Sequence, residues 1–86
     1  MYIENSVKTS TREKARAKNA VINYVYEYCK DNGTDVIAFN LVEDKVYNEC
    51  KDMAYIECVR VFRRVLDHFG FKGFSGYIPV ARCKEC

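Results

Sequence analysis

"CVRVFRRVLDHFGFKGFSGYIPVARC", residues 58–83, is the stretch on which the fold turns. Its first half repeats Val59, Phe62, Leu66 and Phe69, with Val65 alongside, at three- and four-residue spacing. Arg60, Arg63, Arg64 and Asp67 fall on the opposite side. That is the pattern of an amphipathic helix with one face in a core. Gly70 follows Phe69 and ends the helix, because glycine takes the left-handed conformation favoured just past a helix C-terminus. Three of the four glycines and the only proline fall between residues 70 and 79. Phe71 before the turn "GFSG" and Tyr77-Ile78 after it therefore read as two short strands of a small β-hairpin. Pro79 cannot donate to a ladder, which places it at an edge or beside a bulge.

Working toward the N-terminus, Asp52 is placed to cap this long helix, which the pattern runs from about Met53 to Phe69. Before it, "LVEDKVYNEC" puts Val42, Val46 and Cys50 on one face of a shorter helix, with Asn40 and Glu43 in the reciprocal capping arrangement. The stretch "TDVIAF" is β-branched, apolar and too short for a helix, and reads as one strand. The first helix opens with a second capping pair, Ser10 and Glu13, and carries Ala17, Val21, Ile22, Val25 and Cys29, with Tyr24 and Tyr28, in one wide apolar stripe. Asn32-Gly33 stops it.

A chain of 86 residues supplies one modest core, so these elements belong to one domain over residues 10–82, with an arm at 1–9 and a tail at 83–86. Apolar residues make up 49% and charged residues 30%, a globular balance rather than a disordered one. No run approaches the roughly 20 apolar residues of a membrane span, and "MYIENSVKTS" lacks the order of a signal peptide. The expectation is a cytoplasmic protein with no membrane partner.

The net charge of +2 is unevenly spread. Residues 1–26 hold five Lys/Arg and two Glu, residues 27–57 hold three Lys against eight acids, and residues 58–86 hold six Lys/Arg and two acids. Two basic ends around an acidic middle point to one positive and one negative face, and an anionic partner belongs on the positive one.

The order of helix, short strand, short helix, long helix and two-stranded wing resembles the winged helix-turn-helix superfamily of DNA-binding proteins, a mainly α fold with a small β-hairpin. "VRVFRRVLDHFGF" carries the resemblance most sharply, with Val59, Phe62, Leu66 and Phe69 leading to Gly70 and Phe71. What the resemblance implies is a third helix in the major groove of double-stranded DNA and a wing on the neighbouring backbone. Arg60 and Arg64, one turn apart, would face the duplex together, with Arg63 toward the phosphates. Lys72 and Arg82 on the hairpin, and Lys14, Arg16 and Lys18 on the first helix, would hold register. Arginine matches either a phosphate or the O6/N7 edge of guanine. The helix start, Met53-Ala54-Tyr55-Ile56-Glu57, departs from the usual small polar readers. Tyr55 suits a phosphate or a thymine methyl and Glu57 a cytosine amino group, yet exposed Tyr55 and Ile56 also suit a protein. The implied function is a transcriptional regulator or chromatin-associated factor. The alternative is a non-catalytic protein-interaction subunit of a replication or transcription assembly.

Cys29, Cys50 and Cys58 sit on apolar helix faces, where cysteine packs as a small hydrophobe. Cys83 and Cys86 form one C-x-x-C pair; zinc would need partners such as Cys50, Cys58 or His68 folded against it, and a disulfide or free thiols fit as well. Neither a metal nor another cofactor is assigned. Asp67 and His68 are neighbours on a helix and point apart, and no phosphate loop or nucleophile elbow is present, which argues against an enzyme. Tyr26 faces away from the core stripe and, with Val25 and "MYI", offers a surface for a homodimer. Phe74 at the hairpin tip is either tucked under the turn or a contact residue.

Overall fold

The computed structural model describes residues 11–80. The arm, Ser10 of the first capping pair, Arg82, Cys83 and Cys86 lie outside the described residues. Five elements follow in order: α1 (Thr11–Asn32), β1 (Val36–Ala38), α2 (Phe39–Glu49), α3 (Tyr55–His68) and β2 (Tyr77–Pro79). The described residues are mainly helical, with one two-stranded antiparallel sheet among them. No helix among the described residues is long and apolar enough to cross a membrane.

Helix α1 buries Ala17, Val21, Ile22, Val25 and Cys29, the stripe its spacing dictates, and leaves Tyr24 and Tyr28 half-buried at its border. It stops at Gly33, whose φ of 60° lets the chain reverse, and the Thr34 N–H donates to the Cys29 carbonyl at 3.0 Å. Helix α2 contributes Phe39, Val42 and Val46, and α3 contributes Cys58, Val61, Phe62, Val65 and Leu66. Ile37 and Ile78, opposite each other across the ladder, close the core from the sheet side. All of the core is apolar: among the described residues no polar or charged residue is buried in it. The driving force is therefore removal of this surface from water, at about 25 cal/mol per Å². Phe39 is its hub, with ring centroids 5.2 Å from Phe62 and 6.0 Å from Phe71.

The small β element is present, but its partner differs from the expected one. Strand β2 pairs with β1, in the register Val36 to Pro79, Ile37 to Ile78 and Ala38 to Tyr77, and not with the Phe71 segment across the "GFSG" turn. The bonds Phe39 N–H to Gly76 O, 2.8 Å, and Val80 N–H to Asp35 O, 2.7 Å, extend the ladder at both ends. Pro79 consequently occupies a non-hydrogen-bonded pair, where its missing N–H costs the ladder nothing. Phe71 is not a strand residue: its N–H donates to the Leu66 carbonyl at 2.9 Å, closing the end of α3, and its ring packs on Phe39.

Two capping assignments also change. Helix α2 begins at Phe39, directly from β1, with Ala38 at the cap position and no side-chain cap, so Asn40 lies inside the helix. One otherwise orphan N–H, that of Phe39, is taken by Gly76 in the ladder. Helix α3 begins at Tyr55 with Ala54 at its cap, and Asp52 belongs to the preceding turn. On α3, Val59 is half-buried, and Val61 and Cys58 take the deep positions beside Phe62 and Val65. Gly70, with φ of 67°, ends α3 as its place in the sequence requires.

Candidate functional site

Helix α3 turns Cys58, Val61, Phe62, Val65 and Leu66 to the core, so the helical repeat alone turns Ile56, Arg60, Arg63, Arg64 and Asp67 outward. All five are exposed. The two flanks of this face differ in chemistry. On the α2 side, Tyr55 is 72% exposed and lies parallel to Tyr47, with ring centroids 6.1 Å apart and planes within 4°. Burial first, and then the hydrogen bond with Tyr55, raise the Tyr47 phenol above its ordinary pKa. Tyr47 is thus a neutral platform at any physiological pH, and Tyr55 is held by stacking.

On the α1 side, Thr11, Lys14, Ala15 and Lys18 fall on one helix face and meet Arg60 and Arg64 of α3 across a cleft of about 310 Å³. Each helix presents its two cations four residues apart, so all four converge along the same stretch of the groove. Glu57, in the first turn of α3, ties the helices together. Its Oε1 is 3.2 Å from Lys14 Nζ and its Oε2 is 3.9 Å from Arg60 Nη1. Its side chain is 15% exposed, and Oε1 is buried without an aligned hydrogen bond, so Lys14 meets it as a charge contact. Glu57 therefore faces Lys14 and is not presented to a cytosine. The four cations less one carboxylate leave an excess of about three positive charges around one concavity, which suits an anion.

The remaining expected site residues are dispersed. Arg63 is on the α3 face outside the cleft, and Lys72 is exposed in the segment that follows Gly70. Phe74 is 81% exposed, and Tyr77 and Val36 are also exposed, so Phe74 is not tucked under the turn. Tyr26 is only partly turned to solvent. Its hydroxyl is 3.2 Å from His68 Nε2, and its ring meets the Phe69 edge at 5.5 Å, which docks α1 on the end of α3 and leaves less surface there for a second chain.

The cysteines of the core are packed as thiols. Cys58 Sγ donates to the Cys50 carbonyl at 3.1 Å, and the Cys50 thiol is pushed up to about 12, by burial first and then by neighbouring Cys58. A thiol so reluctant to ionise is a poor metal ligand and a poor nucleophile. Among the described residues no group of three or more His, Cys, Asp or Glu is arranged to hold a metal ion.

No family model, curated protein or solved structure matches the chain. Lys14 and Lys18 are the site residues whose place the sequence understates. Their spacing of four is visible, but their position across from Arg60 and Arg64 follows only from the packing of α1 on α3.

Proposed function

We propose that this protein is a small winged-helix DNA-binding protein, acting as a transcriptional regulator or chromatin-associated factor, with the outward face of α3 in the major groove. The observation that carries the reading is the cationic face itself. Arg60, Arg63 and Arg64 are exposed on the side of α3 away from the core, and Lys14 and Lys18 of α1 extend the same positive surface. A duplex bound there meets arginines suited to guanine edges and flanking cations suited to phosphates. The order of elements, with a strand between the first two helices and another after the third, supports the winged-helix arrangement. Lys72, exposed in the segment after Gly70, is free to add a backbone contact, and the same role is proposed for Arg82, which lies outside the described residues.

A specific observation favours a second reading. Tyr55 and Ile56, 72% and 54% exposed, form an apolar start to α3 that suits a protein partner, as in a non-catalytic subunit of a replication or transcription assembly. Fluorescence anisotropy with a labelled random duplex tests the two. DNA binding that weakens in Arg63→Ala and survives Ile56→Ser supports the first reading; no binding by the wild type removes it.

A further inference from the structure

A phosphate backbone needs only a positive surface, yet the cations between α1 and α3 surround a concavity. At about 310 Å³ the cleft is at the small end of the range for small-molecule sites, about 300–1,000 Å³. Its described lining is Lys14, Lys18, Arg60 and Arg64 with only the small Thr11 and Ala15 between them, so charge dominates and the walls leave room. The cations come from two helices and approach from opposite sides, which lets them grip one compact anion rather than a passing strand. Glu57 holds one of the four, Lys14, at 3.2 Å before any ligand arrives, which reduces the ordering cost of binding. It also lowers the excess charge to about three, too much for a single carboxylate and matched to two or more linked phosphoryl groups, each carrying at least one negative charge at neutral pH.

We propose that the α1–α3 cleft binds a small condensed phosphate, either inorganic or the phosphate tail of a nucleoside triphosphate, and that this ligand competes with duplex DNA for Arg60 and Arg64. The site stands on the cleft alone, whereas the competition rests on the DNA-binding reading. Arg60 and Arg64 belong both to the cleft and to the outward face of α3, so a triphosphate that engages them takes them from the duplex.

Isothermal titration of the full chain with sodium triphosphate, ATP and sodium sulfate at matched ionic strength tests the site. The expected result is saturable one-site binding of triphosphate, at least about tenfold tighter than sulfate. Lys18→Ala and Arg64→Ala should each weaken it about tenfold, the effect of losing one charge-assisted contact, while Arg63→Ala leaves it unchanged. Circular dichroism checks the fold of each variant, and Lys18→Gln replaces Lys18→Ala if the latter unfolds. ATP binding as tightly as triphosphate identifies the phosphates as the recognised group; tighter ATP binding adds a contact to the nucleoside. Triphosphate no better than sulfate, or unaffected by Lys18→Ala, overturns the site. A wild type that binds duplex but discriminates no triphosphate removes this inference alone. One that binds triphosphate but no duplex removes the DNA reading and keeps the site. Where both bind, triphosphate should release labelled duplex more than sodium chloride at equal ionic strength does, and equal release overturns the competition.

Discussion

Replacing Glu57 by Gln keeps the shape of the side chain and removes a carboxylate that restrains the basic cleft, so stability and DNA binding should move in opposite directions. Exposed ion pairs contribute about 0.2–1 kcal/mol. The Lys14 contact lies at the upper end of that range, because Glu57 is mostly buried and Lys14 about a third exposed, with 3.2 Å between the charged atoms. Arg60, at 3.9 Å and 63% exposed, adds little. A carboxylate in the first turn of a helix contributes a further 0.3–1 kcal/mol or so through the helix dipole. Glu57→Gln should therefore destabilise the fold by about 1–2 kcal/mol in urea unfolding at low salt, and less at about 1 M salt, where the Debye length is near 3 Å. In the same protein Lys14 and Arg60 lose their anion, and if one of them then reaches a phosphate the salt slope of duplex binding should steepen by about 0.9. A variant that loses stability and duplex affinity together refutes the reasoning, since Glu57 would then be part of the binding surface rather than a brake on it.

Further expectations concern the fold. Gly70→Val should cost on the order of 1 kcal/mol or more in thermal unfolding, from backbone strain at φ 67°, because nothing lies within 4 Å of the added Cβ. Ile78→Ala empties a fully buried position opposite Ile37 and should cost about 2–5 kcal/mol, a large part of the stability of so small a domain. The Cys50 thiol ionises near 12 in the fold against an ordinary 9.0, so the folded state holds its proton more tightly than the unfolded chain. That contribution to stability is complete below about pH 9 and is lost progressively as pH rises toward 12. Denaturation of Cys50→Ala at pH 8 and pH 10 should accordingly show a smaller loss with pH than the wild type; equal losses would count against the burial argument.

The amphipathic helices were legible because Val21, Val25 and Cys29, or Phe62, Val65 and Leu66, repeat at helical spacing and have no other means of leaving water. Gly33 and Gly70 were legible as stops because the conformation required there is local. The starts of α2 and α3 were not. Asn40 and Asp52 are good local caps, but the Phe39 N–H finds its acceptor in Gly76, 37 residues away, and burial of Phe39 draws the helix start forward. The pairing of β2 with β1 escaped for a related reason. A turn such as "GFSG" advertises a local hairpin, whereas the ladder that forms is decided by Ile37 and Ile78 meeting in the core and by Phe71 filling the space beside Phe39. On the site, the exposed arginines of α3 could be read from their spacing, while the cleft they share with Lys14 and Lys18 exists only once α1 and α3 are packed.

If the outward face of α3 binds duplex DNA through its cations, as we propose, wild-type affinity must fall steeply as salt rises. Measured with a random duplex from about 50 to 200 mM salt, log affinity should fall linearly with log salt at roughly −0.9 per phosphate contact, near −3 if Arg60, Arg63 and Arg64 all engage phosphates. No binding at about 50 mM salt, where such contacts are strong, would contradict the claim and leave Tyr55 and Ile56 as the start of a protein-binding surface.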